Sequence, residues 1–154
     1  FNNRVNIIND VVSGKAQYGV GRSSLLVHKS NGKDIVALAA IFQSSPLILL
    51  ALESSNIKSI QDFKNKKIML TDHALGITSL RAMLVSQNVS FNDMIVQEHS
   101  FNLNDLIENK TDAMSSYLSN EPIRLRSRNI KYKVFDPKDF GFNFLNTFLK
   151  FIYK

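Results

Sequence analysis

The chain has 154 residues, 44% hydrophobic and 21% charged, which is enough to bury a core as one domain or as two small lobes and is the composition of an ordinary globular protein. It contains no Cys, which excludes disulfides, thiolate metal sites and cysteine nucleophiles and suits an oxidising compartment. The net charge of +6 is spread along the chain and is not interleaved with stacking aromatics, so it reads as a solvated basic surface with no nucleic acid as partner.

In chain order, Val5, Ile8, Val11 and Val12 share one helical face, and Gly14 stops that helix. Ala16 to Val20 reads as a short strand. Ser23 is placed to cap a second helix running through Leu25, Leu26 and His28 to the Asn31-Gly32 stop. Two continuous apolar strands follow, Ile35 to Phe42 and Leu47 to Leu52, separated by the polar joint Gln43-Ser44-Ser45-Pro46. Their continuous character predicts sheets covered on both faces, and the joint keeps the run too short for a membrane span. Ser59 caps a short helix through Phe63, and Asp62 three residues on completes a capping-box variant. Lys67 to Leu70 is a strand, Thr71-Asp72-His73 a loop, and Leu75 to Gln87 a helix. Then come a strand from Met94, a helix from Leu103, a strand from Ala113, a helix opened by Asn120-Glu121-Pro122, and a strand from Tyr132 that Asp136-Pro137 breaks.

One pattern occurs twice. Asp10 to Gly19 aligns without gaps on Asp105 to Met114. In each copy an acidic residue and two aliphatics close a helix, Gly14 or Asn109 ends it, and a Lys leads into a small-residue strand. A hydroxyl-rich stretch follows each strand: Gly21-Arg22-Ser23-Ser24, then Ser115-Ser116-Tyr117. Alternating strands and helices predict an α/β fold with parallel strands, whose loops at the carboxyl ends of the strands form a cleft.

Three segments carry a family resemblance. Ser55 to Ile68 resembles the "sGI-s-xDLkGKkI" segment of type II periplasmic substrate-binding proteins, with Asn65 where the family has Gly. Ala37 to Pro46 and Tyr117 to Pro122 resemble the branch that binds thiamine-pyrimidine precursors, found as ABC-transporter binding proteins and as periplasmic sensor domains. The resemblance runs from about Val5 to Phe144. It implies a two-lobed type II periplasmic-binding-protein fold with parallel-rich sheets. Residues 46–136 form the complete second lobe, and residues 1–45 with 137–154 a partial first lobe in a chain that looks truncated at both ends. Crossings at Gln43 to Pro46 and at Asp136-Pro137 would bracket a hinge.

The candidate ligand residues fall at the loops. Ser23 and Ser24 sit at a strand-to-helix turn, where free amides hold an anion or carbonyl, or the serines simply cap. Gln43 and Ser44 open the joint, and the resemblance implies that Gln43 hydrogen-bonds a flat heterocycle. Asp72 follows a strand and serves either as a helix cap or as a cleft residue. Tyr117 offers a stacking face, Asn120 a paired donor and acceptor, and Glu121 a carboxylate for an exocyclic amine; the competing reading makes Asn120 a cap and Glu121 a dipole partner. His28, His73 and His99 lie on different elements, and no Ser-His-Asp or metal-spaced cluster appears.

These readings predict extracytoplasmic small-molecule binding by lobe closure, without enzyme activity, metal or cofactor. The expected partners are a small ligand, an ABC permease or a fused kinase or cyclase module, and a second copy joined through the incomplete lobe. A pyrimidine-precursor synthase would need a cofactor Lys and a nearby His, and neither motif can be placed; a degenerate, non-binding fragment is the third reading.

Overall fold

In the computed structural model the described residues are 6–21, 25–40, 44–71, 78–143 and 149–153. The chain divides into two units, residues 1–45 with 144–154, and residues 46–143. The first unit opens with helix α1 (Ile7–Val12), capped by the Asn6 side chain, which accepts from the Asn9 amide at 3.0 Å. Strand β1 (Gly19–Gly21), helix α2 (Leu25–Ser30) and strand β2 (Ile35–Ala40) follow.

The second unit is a five-stranded sheet. Its strands are β3 (Leu47–Leu52), β4 (Lys67–Leu70), β5 (Ile95–Glu98), β6 (Ala113–Tyr117) and β7 (Tyr132–Phe135), in the spatial order β5-β4-β6-β3-β7. Helices α3 (Thr78–Ser86), α4 (Leu103–Ile107) and α5 (Glu121–Ser127) connect them. β4 pairs in parallel with β5 and β6, whereas β3 runs antiparallel to β6 and β7. The sheet is therefore parallel-rich with one reversed strand, not all parallel.

Every residue of β3 is buried, as its unbroken apolar run requires. Leu47, Leu49 and Ala51 face a core with Ile57, Ile60, Phe63, Leu80, Met83, Leu84 and Phe135, while Ile48, Leu50 and Leu52 face a second core with Met69, Leu103, Leu106, Met114 and Leu125. Each such side chain contributes about 1.5–3 kcal/mol by leaving water, so the two-sided cover fixes this sheet. Phe140 and Phe142 pack on the first of these cores, which carries the unit to Asn143, past the Asp136-Pro137 break expected to end it.

The chain then returns to the first unit as β8 (Leu149–Tyr153), which lies between β1 and β2 and is antiparallel to both. Two expectations change here. The first sheet is antiparallel among its described strands. And the incomplete lobe, expected to join a second copy, pairs its own tail with the strand from Ile35: Ile35 registers with Tyr153 and Ala37 with Phe151. Alternation of helix and strand could not reveal this, because the partner arrives from the far end of the chain.

The repeat is visible in space. Lys15 pairs with Asp10 at 3.2 Å and Lys110 with Asp105 at 3.0 Å, the same positions of the two copies. Gly14 (φ +76°) and Asn109 (φ +58°) both take the left-handed conformation that ends their helices.

Candidate ligand-binding site

Strand order marks out a candidate site. From β5 the chain crosses back over β4 to form β6, so the two neighbours of β4 are reached by connections running in opposite directions. At such a switch point the loops diverge at the carboxyl ends of the strands and leave a crevice. The ladder between β4 and β6 registers Ile68 with Ala113 and Met69 with Met114. Beyond it, side chains take over: the Thr71 amide donates to Ser115 Oγ at 3.3 Å, and His99 Nε2 lies 2.8 Å from the Ser115 carbonyl. Since the Phe101 amide donates to His99 Nδ1 at 2.9 Å, the ring proton belongs on Nε2, which donates to Ser115. His99 thus reaches from the end of β5 past β4 to β6.

The end of β6 is tied to the start of α5 by Glu121. Its Oε2 accepts from the Ser116 hydroxyl at 2.8 Å and the Tyr117 amide at 3.0 Å, and its Oε1 accepts from Asn120 Nδ2 at 2.8 Å. Asn120 makes no side-chain cap, its amide closing a turn onto the Tyr117 carbonyl at 2.9 Å. An ionised carboxylate has about four acceptor positions, so Glu121 holds this turn and keeps room for a further donor. Tyr117 is 37% exposed, with Ser115 and Ser116 buried beside it. The end of β6 therefore gathers two buried, hydrogen-bonded hydroxyls, a partly exposed phenol ring and one carboxylate.

The loop after β5 is pinned as firmly. Ser100 Oγ donates to Asp105 at 2.6 Å, and the Asn102 side chain caps α4 by accepting from the Asn104 amide at 3.1 Å. The Ser100 hydroxyl, and then the Lys110 ammonium, hold the Asp105 carboxyl below its ordinary value. Hydrogen bonds from the Lys58 amide and from the Ser59 hydroxyl and amide do the same for Asp62, whose pairing with Ser59 is the capping arrangement read from the sequence.

Of the sequence candidates, Tyr117, Asn120 and Glu121 come together here. Ser44 is half-buried in the other unit. Ser23, Ser24, Gln43 and Asp72 lie outside the described residues. Sequence reasoning weighed His99 only for a catalytic or metal cluster and passed over Phe101, although His99-Ser100-Phe101-Asn102 follows its strand just as the Ser115 stretch belongs to the end of its own. It also passed over Ser79, whose hydroxyl is buried in the first turn of α3 with no hydrogen-bond partner among the described residues. Among the described residues no group of His, Asp or Glu could hold a metal ion, and no helix is long and apolar enough to cross a membrane.

The two-unit α/β architecture with its switch point is the fold of type II periplasmic binding proteins. The chain belongs to the NMT1/THI5-like family, whose model matches residues 2–150. Among solved structures it is similar to the periplasmic sulfonate-binding protein SsuA of Methylobacillus flagellatus, with 19% identity and a TM-score of 0.75 over 96% of this chain and 45% of that one. The aliphatic sulphonate binding protein SsuA of Escherichia coli has 16% identity and a TM-score of 0.69 over 95% of this chain and 50% of that one. An L-cystine ABC transporter protein of Listeria monocytogenes has 20% identity and a TM-score of 0.56 over 97% and 61%. The chain spans about half the length of the two sulfonate-binding proteins. No curated protein matches it.

Proposed function

We propose that the chain is a small-molecule binding module of the extracytoplasmic, substrate-binding type, not an enzyme, and that its ligand is a nitrogen heterocycle resembling a thiamine precursor. The observation that supports this most is the turn at the end of β6, where Tyr117, Ser116 and a Glu121 carboxylate with spare acceptor capacity come together beside the switch point. An aminopyrimidine presents a flat face to the phenol and an exocyclic donor to the carboxylate. Ser23, Ser24, Gln43, Ser44, Asp72 and Asn120 complete the proposed contacts. In this reading the ligand is captured by lobe closure in the periplasm, for delivery to an ABC permease or for signalling through a fused kinase or cyclase. Two copies associate through β1 and β2, the outer strands of their sheet, where Val20 and Leu38 are exposed; light scattering should then give a dimer at micromolar concentration, and a monodisperse monomer would count against it.

Sulfonate binding is the second reading, favoured by the similarity to two sulfonate-binding proteins and by the buried Ser79 hydroxyl in the first turn of α3, which has no partner among the described residues and lies where a helix start attracts anions. A thermal-shift panel of thiamine, its aminopyrimidine precursor, an aliphatic sulfonate, histidine and glutamate separates the two. The proposal expects the aminopyrimidine to give the largest shift. A shift with the sulfonate alone would replace the ligand class, and no shift with any member would overturn the binding reading.

A further inference from the structure

Six described non-glycine residues have a left-handed backbone: Asn56, Asn65, Asn88, Asn109, Asn129 and Phe101. The five asparagines follow the rule for such positions, since their short polar side chains tolerate the left-handed region. Phe101 does not. At φ +58° it carries a bulky side chain in a strained conformation, and the residue is 77% exposed, so little burial compensates. Three contacts nevertheless impose the geometry: the Phe101 amide donates to His99 Nδ1 at 2.9 Å, the two rings lie 4.7 Å apart at 45°, and the preceding Ser100 is anchored to Asp105 at 2.6 Å. His99 in turn donates to the Ser115 carbonyl at 2.8 Å, so the Phe101 ring lies against an imidazole that is bonded to β6.

We propose that Phe101 is a specificity-determining residue of this site, a rigid stacking face for a flat, conjugated ring, and that His99 is the positioning residue that aims it. This rests on the binding reading above and adds a residue to it on a different strand. A fold that needed only a turn here would be served by Asn, as at five other places; a phenyl held outward by an imidazole is suited to covering the face of a ligand. An aromatic ligand should gain from it and an aliphatic anion should not.

Titration calorimetry on the whole chain tests this with two probes, the aminopyrimidine precursor of thiamine and an aliphatic sulfonate. The variants are Phe101→Asn and Phe101→Gly, both of which accept the left-handed backbone, and Phe101→Tyr, which restores the ring. Both ring-less variants should melt at or above the wild-type temperature, because strain is relieved, yet bind the aminopyrimidine about tenfold more weakly or worse. Phe101→Tyr should recover the affinity, and sulfonate binding, if present, should not change. Aminopyrimidine affinity unchanged in both ring-less variants overturns this inference and leaves the binding reading standing. Loss of affinity accompanied by a lowered melting temperature in both overturns it too, because the ring is then structural. A wild-type chain that binds only the sulfonate overturns the ring-stacking role and changes the ligand class; one that binds neither probe overturns both proposals together.

Discussion

Glu121 shows how one side chain can be structural and functional at once. It receives the Ser116 hydroxyl, the Tyr117 amide and the Asn120 amide, so replacing it changes the turn before it changes any ligand contact. Glu121→Gln turns one acceptor into a donor facing donors, and should lower stability by about 1–2 kcal/mol. If the carboxylate also holds an amine of the ligand, affinity should fall at least about tenfold beyond that. Denaturant unfolding beside calorimetry separates the effects, and equal affinity in the two proteins would remove Glu121 from the site. Asp62 and Asp93 each accept from the amide and hydroxyl of the Ser three residues before them, and both carboxyls are held below the ordinary value of 3.8. A lowered folded pKa means stability that is full above the unfolded value and is lost as pH falls below 3.8 toward the folded value. The double variant Asp62→Asn/Asp93→Asn should therefore lose less stability than wild type on acidification through that window. Parallel acid curves would contradict this account of the two turns.

At the scale of elements, β8 carries the first sheet. Phe151 registers with Gly19 on one side and with Ala37 on the other, so Phe151→Pro removes a ladder donor from a strand paired on both edges. Hydrogen exchange should then show amides of β1 and β2 losing protection while those of β3, β4 and β6 keep it. Uniform loss across both sheets would mean that the two units unfold as one. What the sequence revealed and concealed follows from range. The capping pair Ser59/Asp62, the left-handed Asn65 and the two-sided burial of Leu47 to Leu52 are local or periodic, and all were readable. The reversal of β3, the arrival of β8 between β1 and β2, and the His99 bridge to Ser115 depend on partners far along the chain, and no short window holds them. The site was legible only to the same extent: Tyr117, Asn120 and Glu121 are neighbours in sequence, whereas Phe101 joins them only through the sheet.

At the scale of the whole molecule, residues 46–143 contain two hydrophobic cores on either side of one sheet. A fragment of those residues should fold alone with a cooperative thermal transition, as a unit with its own core does. A fragment without a transition would tie its stability to the rest of the chain. In the proposed function a small ligand is held at the carboxyl ends of the parallel strands of this sheet. Amide shifts in a two-dimensional nuclear magnetic resonance titration of the whole chain with the aminopyrimidine precursor test it most directly. Shifts should gather on Thr71, Phe101, Ser115, Ser116, Tyr117 and Glu121, with none at the opposite edge, where Lys67 and Asp112 are bonded to each other. Shifts centred on Lys67 and Asp112, or none anywhere at saturating ligand, would contradict it.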